Sequence, residues 1–288
     1  MRDYKQMVDL EILIGEKIKS SRDVSGGCIA SNSVLTGQSG RKYFVKQYPG
    51  DQGESKAKAE VTGLTELMRQ KIIRIPVIIG TAKNVVALEF VEKGRASAGF
   101  YESFGRSLAQ LHRCSSKAGF GFTENNFIGD SLQINLPRSR NWREFYVLNR
   151  LMPQYKLMEK NGFTDSALNR LFEKMLSNLY KIIDDSAVFP SLLHGDLWAG
   201  NYFASTTGEA VIFDPAVYYG DRETDLAMTR LFGGFDEKFY LSYKNEFPLE
   251  YGSDERVRLY QLYHLMNHLN LFGSSYYREV IEIIKKYN

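Results

Sequence analysis

The chain of 288 residues is 43% hydrophobic and 25% charged, an ordinary globular balance with room for two lobes or one large domain. Its 37 basic and 34 acidic residues leave a net charge of +3 with no lysine or arginine block, so no nucleic-acid partner is expected. No apolar run reaches membrane-span length, so no membrane partner is expected, and Cys28 and Cys114 supply neither a disulfide framework nor a metal cluster.

Asp3, Asp9, Glu11 and Glu16 interrupt the apolar residues at the N-terminus. That pattern argues against a secretory signal, and a reducing cytoplasm is the expected compartment. Met7, Leu10, Ile14 and Ile18 recur at helical spacing and predict a helix over 4–19. From Val24 the pattern turns strand-like. Ser33–Thr36 and Lys42–Gln47 read as a hairpin around a Gly37–Gly40 turn, with Gly26-Gly27 on the strand before it. Glycines let backbone N–H groups approach an anion, so Gly26 and Gly27 are candidate phosphate contacts, against the plainer reading of a turn. Cys28 follows them. Backbone donors there could lower its thiol pKa, making it a candidate redox position, against the reading of a small buried residue.

Lys46 lies on a predicted strand among apolar neighbours, where a lysine needs a partner unless it faces water from an edge. The helix over 54–70 puts Ala57, Val61, Leu64 and Met68 on one face. Glu60, one position off that face, is the candidate partner of Lys46, with Glu66 as its rival. Val85–Phe90 forms a strand that Glu92-Lys93-Gly94 breaks. Backbone groups of Glu89, Phe90 and Val91 are expected to hold adenine at the crossing between two lobes. The expected boundary gives a nucleotide-binding lobe over 1–92 and a catalytic and substrate-binding lobe over 93–288.

A helix over 97–114 turns Phe100, Phe104, Leu108 and Leu111 inward, and His112 at its end reads as packed or capping. Residues 118–140 form a long Gly- and Asn-rich loop, a length often kept for function. A helix over 141–152 offers Trp142, Phe145, Leu148 and Leu151 to a core, with Arg143, Glu144, Arg150 and Gln154 polar. A second helix spans 165–183.

The run LLHGDLWAGNYFASTTGEAVIFDP, residues 192–215, carries the chemistry. It sets Asp196, Asn201 and Asp214 at the mouths of short strands. Each alone reads as a turn cap. Together they match the needs of phosphoryl transfer: Asp196 to accept a hydroxyl proton, Asn201 and Asp214 to hold Mg²⁺ against nucleotide phosphates. Asp225 could brace this loop or merely cap a helix. Three helices, over 236–246, 254–270 and 275–287, complete the chain.

With these residues in place, the chain resembles the fructosamine kinase, or ketosamine-3-kinase, family within the aminoglycoside- and choline-kinase-like phosphotransferases. The likeness runs nearly end to end. It is carried by Phe44-Val45-Lys46, Phe104-Gly105 through Leu111-His112, Gly119–Phe122 with Asn126–Gly129, and Trp142 with Arg150-Leu151-x-Pro153-Gln154. Its most specific pieces are His194-Gly195-Asp196-Leu197-Trp198-Ala199-Gly200-Asn201 and Asp214-Pro215-Ala216.

The resemblance implies an α+β, two-lobed protein kinase-like fold with a β-rich N-lobe and a mostly helical C-lobe. It implies ATP-dependent phosphorylation of the C3 hydroxyl of a ketosamine, with ATP and Mg²⁺ as cofactors. Trp198 would then stack on the sugar or its amine, with Arg150, Glu144 and Phe127 as further substrate contacts. The partner is a small ketosamine or glycated amine, and the chain could be a monomer or a homodimer. Two other readings are an aminoglycoside- or choline-type kinase and a silent pseudokinase scaffold.

Overall fold

A computed structural model of the chain describes residues 2–24 and 30–288. It groups into two compact units, Met1–Ser97 with Phe203–Asp214, and Ala98–Tyr202 with Pro215–Asn288.

The N-terminal unit begins with α1 (Arg2–Ile14), then β1 (Ile18–Val24), β2 (Ser31–Gly37), β3 (Lys42–Gln47), α2 (Gly53–Gln70), β4 (Ile78–Ala82) and β5 (Val85–Glu89). The five strands form one antiparallel sheet in the order β1-β2-β3-β5-β4. Ile14, Leu35, Tyr43, Val45 and Ala87 make its core, with Leu10, Leu13 and Ile18 packed against it. Helical spacing had carried the first helix through Ile18. Instead Gly15 closes α1 with its N–H on Glu11 O, and Ile18 opens β1 while packing into the same core. The Glu16 carboxylate fixes this corner by accepting from Ser39 N, Ser39 Oγ and Tyr43 Oη at 2.8, 2.8 and 2.6 Å. The buried stripe of α2 is Ala57, Glu60, Gly63, Leu64 and Leu67. It is rotated from the expected face, because Glu60 turns inward to a charged partner.

The C-terminal unit opens with α3 (Phe100–His112), β6 (Asn126–Ile128), β7 (Ser131–Gln133), α4 (Trp142–Tyr146), α5 (Met152–Lys160) and α6 (Ser166–Asn178). The single helix expected over 141–152 is instead α4, a π-helical turn at Val147–Leu151, and α5, which runs on through Pro153. Proline has no N–H to donate to the carbonyl four residues back and crowds it. That carbonyl belongs to Asn149 and accepts from Arg150 Nη1 at 3.0 Å. Leu148, expected in the core, is 58% exposed: helical turns from Trp142 put Phe145, Tyr146 and Asn149 on the buried face and leave Leu148 off it.

Next in the chain come β8 (Ser191–Leu193), then β9 (Tyr202–Ala204) and β10 (Ala210–Ile212), which fall almost wholly in the stretch grouped with the N-terminal unit, and then β11 (Tyr218–Gly220), α7 (Glu223–Thr229), α8 (Glu237–Glu246), α9 (Ser253–Phe272) and α10 (Tyr277–Lys286) of the C-terminal unit. β8 pairs antiparallel with β11, and β9 forms a hairpin with β10. A run of α9 from Leu259 to Asn267 is buried on every side, as expected for a helix at the centre of a helical unit. The architecture is α+β, with the large sheet in the N-terminal unit and most helices in the C-terminal unit. Among the described residues no helix is long and apolar enough to cross a membrane.

Candidate active site

In the N-terminal unit, Lys46 lies on the central strand β3, between Asn32 of β2 and Val86 of β5. Its ammonium meets Glu60 Oε1 and Asp214 Oδ1, each at 2.7 Å. Lys46 and Glu60 are only 5% and 6% exposed. Burial works against the Lys46 charge, but the Asp214 and Glu60 carboxylates outweigh it and hold its pKa above the ordinary lysine value. Burial pushes Glu60 up to about 7, against the opposing pull of Lys46. Glu60 Oε2 is buried without a hydrogen-bond partner. Such a set is costly unless the charges compensate one another, which marks a site kept for more than stability. Asp214, two residues past β10, has a left-handed backbone conformation, φ +56°, which few residues other than glycine, asparagine and aspartate adopt.

Of the three residues expected to hold adenine, Glu89 donates its N–H to Val77 O at 2.7 Å, within the unit. Its carboxylate pairs with Arg74 at 2.8 Å, and Arg74 also reaches Glu209 at 3.2 Å. Phe90 carries the Lys42 ammonium 5.4 Å over its ring, and Val91 follows at the end of the sheet. Gly26, Gly27 and Cys28 lie outside the described residues.

In the C-terminal unit, β8 delivers His194, Gly195 and Asp196 to a loop held from behind. Asp225 Oδ2 accepts from His194 N at 2.7 Å and Oδ1 from Gly195 N at 2.9 Å. His112 Nε2 lies 3.2 Å from the same Oδ2, and its Nδ1 lies 2.8 Å from Tyr243 Oη. Burial alone would raise the Asp225 pKa; His112, His194 and the Gly195 N–H reverse this and hold it below the usual carboxylate range. Asp225 thus braces the loop, and His112 is packed as expected. Gly195 sits at φ +83°, and a Cβ there would overlap Ala216 O, so only glycine fits.

Asn201 Nδ2 donates to Asp196 O at 2.8 Å and to Asp196 Oδ2 at 3.2 Å. Its own N–H bonds Trp198 O at 2.9 Å. The loop therefore sets the Asp196 carboxylate and the Asn201 amide side by side.

The four expected substrate contacts separate. Trp198 is partly exposed and meets Phe232 edge-on at 5.8 Å. Glu144 is exposed in the first turn of α4, where Ser139 Oγ donates to it at 2.6 Å. Phe127 lies half-buried on β6. Arg150 is the correction: it is fully buried, with its guanidinium 3.9 Å over the Tyr218 ring and bonds to Ile134 O, Asn149 O and Asn135 Oδ1. Nη1 and Nη2 donate to oxygens of Ile134, Asn149 and Asn135, and Nε is buried without a partner, so Arg150 faces the core and holds the 118–140 loop onto the helices.

Among the described residues no three His, Cys, Asp or Glu side chains cluster as a metal cage. Two sets of groups stand out instead: Lys46, Glu60 and Asp214 in one unit, and Asp196 and Asn201 in the other.

The fructosamine kinase family profile matches residues 3–288. A protein of Synechocystis named as a ketoamine kinase is 38% identical over 94% of this chain and 90% of its own length. A chloroplastic protein-ribulosamine 3-kinase of rice, Oryza sativa subsp. indica, is 37% identical over 94% of this chain and 79% of its own. A crystal structure from Thermobifida fusca, assigned as a fructosamine-3-kinase, superposes with a TM-score of 0.88 at 30% identity, covering 98% of this chain and 97% of that one.

Proposed function

The chain belongs to the fructosamine kinase family, and on that premise we propose that it transfers the γ-phosphoryl group of ATP to the C3 hydroxyl of ketosamines. Asp196 takes the hydroxyl proton as the sugar oxygen bonds to the γ-phosphorus and the bond to the β,γ-bridging oxygen breaks, releasing ADP. Asn201 aligns the Asp196 carboxylate. Lys46, braced by Glu60, orients the α- and β-phosphates.

A neutral amide oxygen from Asn201 and a carboxylate from Asp214 fit Mg²⁺, which keeps several waters and takes phosphate oxygens rather than an all-protein cage. When bound, Mg²⁺ would neutralise phosphate charge. Positioning and fixed charge carry most of the rate.

The observation that carries this reading is the buried Lys46 ammonium held at once by Glu60 and Asp214. A fixed buried ammonium suits a polyanion, and we read that anion as the phosphates of the nucleotide. A small glycated amine is the acceptor, and the cytoplasm the expected compartment.

The test is a phosphoryl-transfer assay on a synthetic fructosamine, with NMR identification of the phosphorylated carbon. Asp196→Ala should lower turnover by orders of magnitude with little loss of ATP affinity. Near-normal turnover in that variant removes Asp196 as the base. Activity on aminoglycosides or choline alone would replace the ketosamine reading.

A further inference from the structure

Trp198, expected to stack on the sugar or its amine, is the first ring of an aromatic strip that runs on past it. It is 37% exposed and meets Phe232 at 5.8 Å between ring centroids. Phe232 lies 4.8 Å from the His268 ring. His268 in turn meets Phe272 at 5.4 Å and Tyr276 at 5.3 Å, with Phe272 itself 51% exposed. Phe272 is the last residue of α9, and Tyr276 precedes α10. The strip therefore starts two residues from Asp196 and ends at a helix corner in the same unit.

His268 Nδ1 donates to His264 O at 2.8 Å, which fixes the tautomer, and burial lowers the ring's pKa. The rings are thus uncharged near neutral pH. A row of partly exposed aromatic rings on a folded surface marks a contact site.

We infer that this strip, Trp198–Phe232–His268–Phe272–Tyr276, binds the amine substituent of the acceptor and selects for long apolar or aryl arms over small ones. The inference rests on the ketosamine reading above. A ketosamine has two unlike ends. The sugar tail is a run of hydroxyls that needs hydrogen-bond partners at every carbon, and the strip offers few: Phe232 and Phe272 have none, and His268 Nδ1 is already bonded to His264 O. The other end is an amine, cationic near neutral pH and attached to whatever carbon chain the parent amine carried. Aromatic faces attract such a cation and bury its methylenes. The amine sits two carbons from C3, so a hydroxyl at Asp196 leaves it near Trp198. Ring-to-ring steps of 5.8, 4.8 and 5.3 Å then carry the strip well beyond a methyl substituent.

The position of Trp198 is set by the loop. A Cβ at Gly200 would overlap the indole ring, so the small residue there leaves the ring room to lie over its own loop.

The experiment compares two acceptors, N-methylfructosamine and a fructosyl-lysine carrying a phenylalanine amide, in wild type and Phe272→Ser/Tyr276→Ser. Both changes lie at a partly exposed helix corner. Removing two rings should raise KM for the long-armed acceptor about tenfold with kcat retained, and leave the methyl acceptor unchanged. Equal losses on both acceptors, or none on either, overturn the inference.

A second readout needs no turnover. Trp142 is fully buried and donates to Tyr260 Oη, so Trp198 is the tryptophan open to a quencher. Titration with the unglycated lysyl-phenylalanine amide should quench fluorescence saturably in wild type and weakly in the double variant. If that holds while no ketosamine is phosphorylated, the strip stands and the ketosamine reading falls. Absence of saturable quenching in wild type removes the strip.

Discussion

Lys46 and Asp214 are 168 positions apart in the chain, and their charged groups meet at 2.7 Å. With Glu60 on its other side, this ammonium neutralises two carboxylates that would otherwise repel. Lys46→Met should therefore act twice. Leaving the Glu60 charge buried without its cation should cost about 3 kcal/mol of stability, read by denaturant midpoint. Turnover measured on the folded fraction should fall about 100-fold or more. Full turnover in a merely destabilised variant would show that the ammonium serves only the fold.

Glu60 gives a pH signature of definite sign. Burial raises its folded pKa to about 7, above the ordinary 4.5. Between those values the folded chain binds more protons than the unfolded one, so this group's contribution to stability is full below about 4.5 and is lost as pH rises through about 7. Activity should move the other way, since the ionised carboxylate is the one that anchors Lys46. Glu60→Gln should flatten the dependence of Tm on pH across this window. An unchanged profile would place the titrating group elsewhere.

Asp225 predicts the opposite slope, since its folded pKa is depressed. The stability it supplies is present above the ordinary carboxylate pKa and is lost as pH falls. Asp225→Asn keeps the shape but leaves one oxygen where two accept from His194 N and Gly195 N. The cost should be about 2 kcal/mol, or about 5 °C in Tm. kcat should fall more than KM changes, because the loop that carries Asp196 loses its support. A variant with lowered Tm but intact kcat would make Asp225 a stabiliser only.

Arg150→Met separates a core residue from a substrate contact. The change strands Ile134 O, Asn149 O and Asn135 Oδ1 and should cost about 3 kcal/mol. KM for the acceptor, measured on folded protein, should not change. A selective rise in KM at unchanged Tm would return Arg150 to the acceptor site.

The sequence was most legible where the chemistry is local. His194 through Asn201 is a single loop, and its residue types state their partners within a few positions. The Lys46–Glu60 pair was readable because a lysine amid strand residues needs an anion and the next helix offers one. Periodicity misled where a distant contact overrode it. Ile18 kept the helical beat but joined β1, since Glu16 is captured by Ser39 and Tyr43 from the hairpin. Leu148 follows Phe145 by three residues, but the buried face takes the three-then-four rhythm of a helix through Trp142, Phe145, Tyr146 and Asn149 and passes it by. Arg150 was expected to touch the acceptor because its actual partners, a carbonyl and a side-chain amide of the remote 118–140 loop, leave no mark in residue type. Asp225 stayed ambiguous for the same reason: its partners are backbone N–H groups thirty residues upstream, which leave no mark in residue type.

The left-handed backbone at Asp214 narrows what that position tolerates. Glycine and asparagine can take the same twist with little strain, yet neither brings an anion to Lys46; glutamate brings the anion but resists the twist. Among common residues aspartate alone meets both demands. A saturation library at this codon should therefore yield folded proteins for a few small residues and working ones for a single residue, so that shape and charge are filtered by two separate sieves.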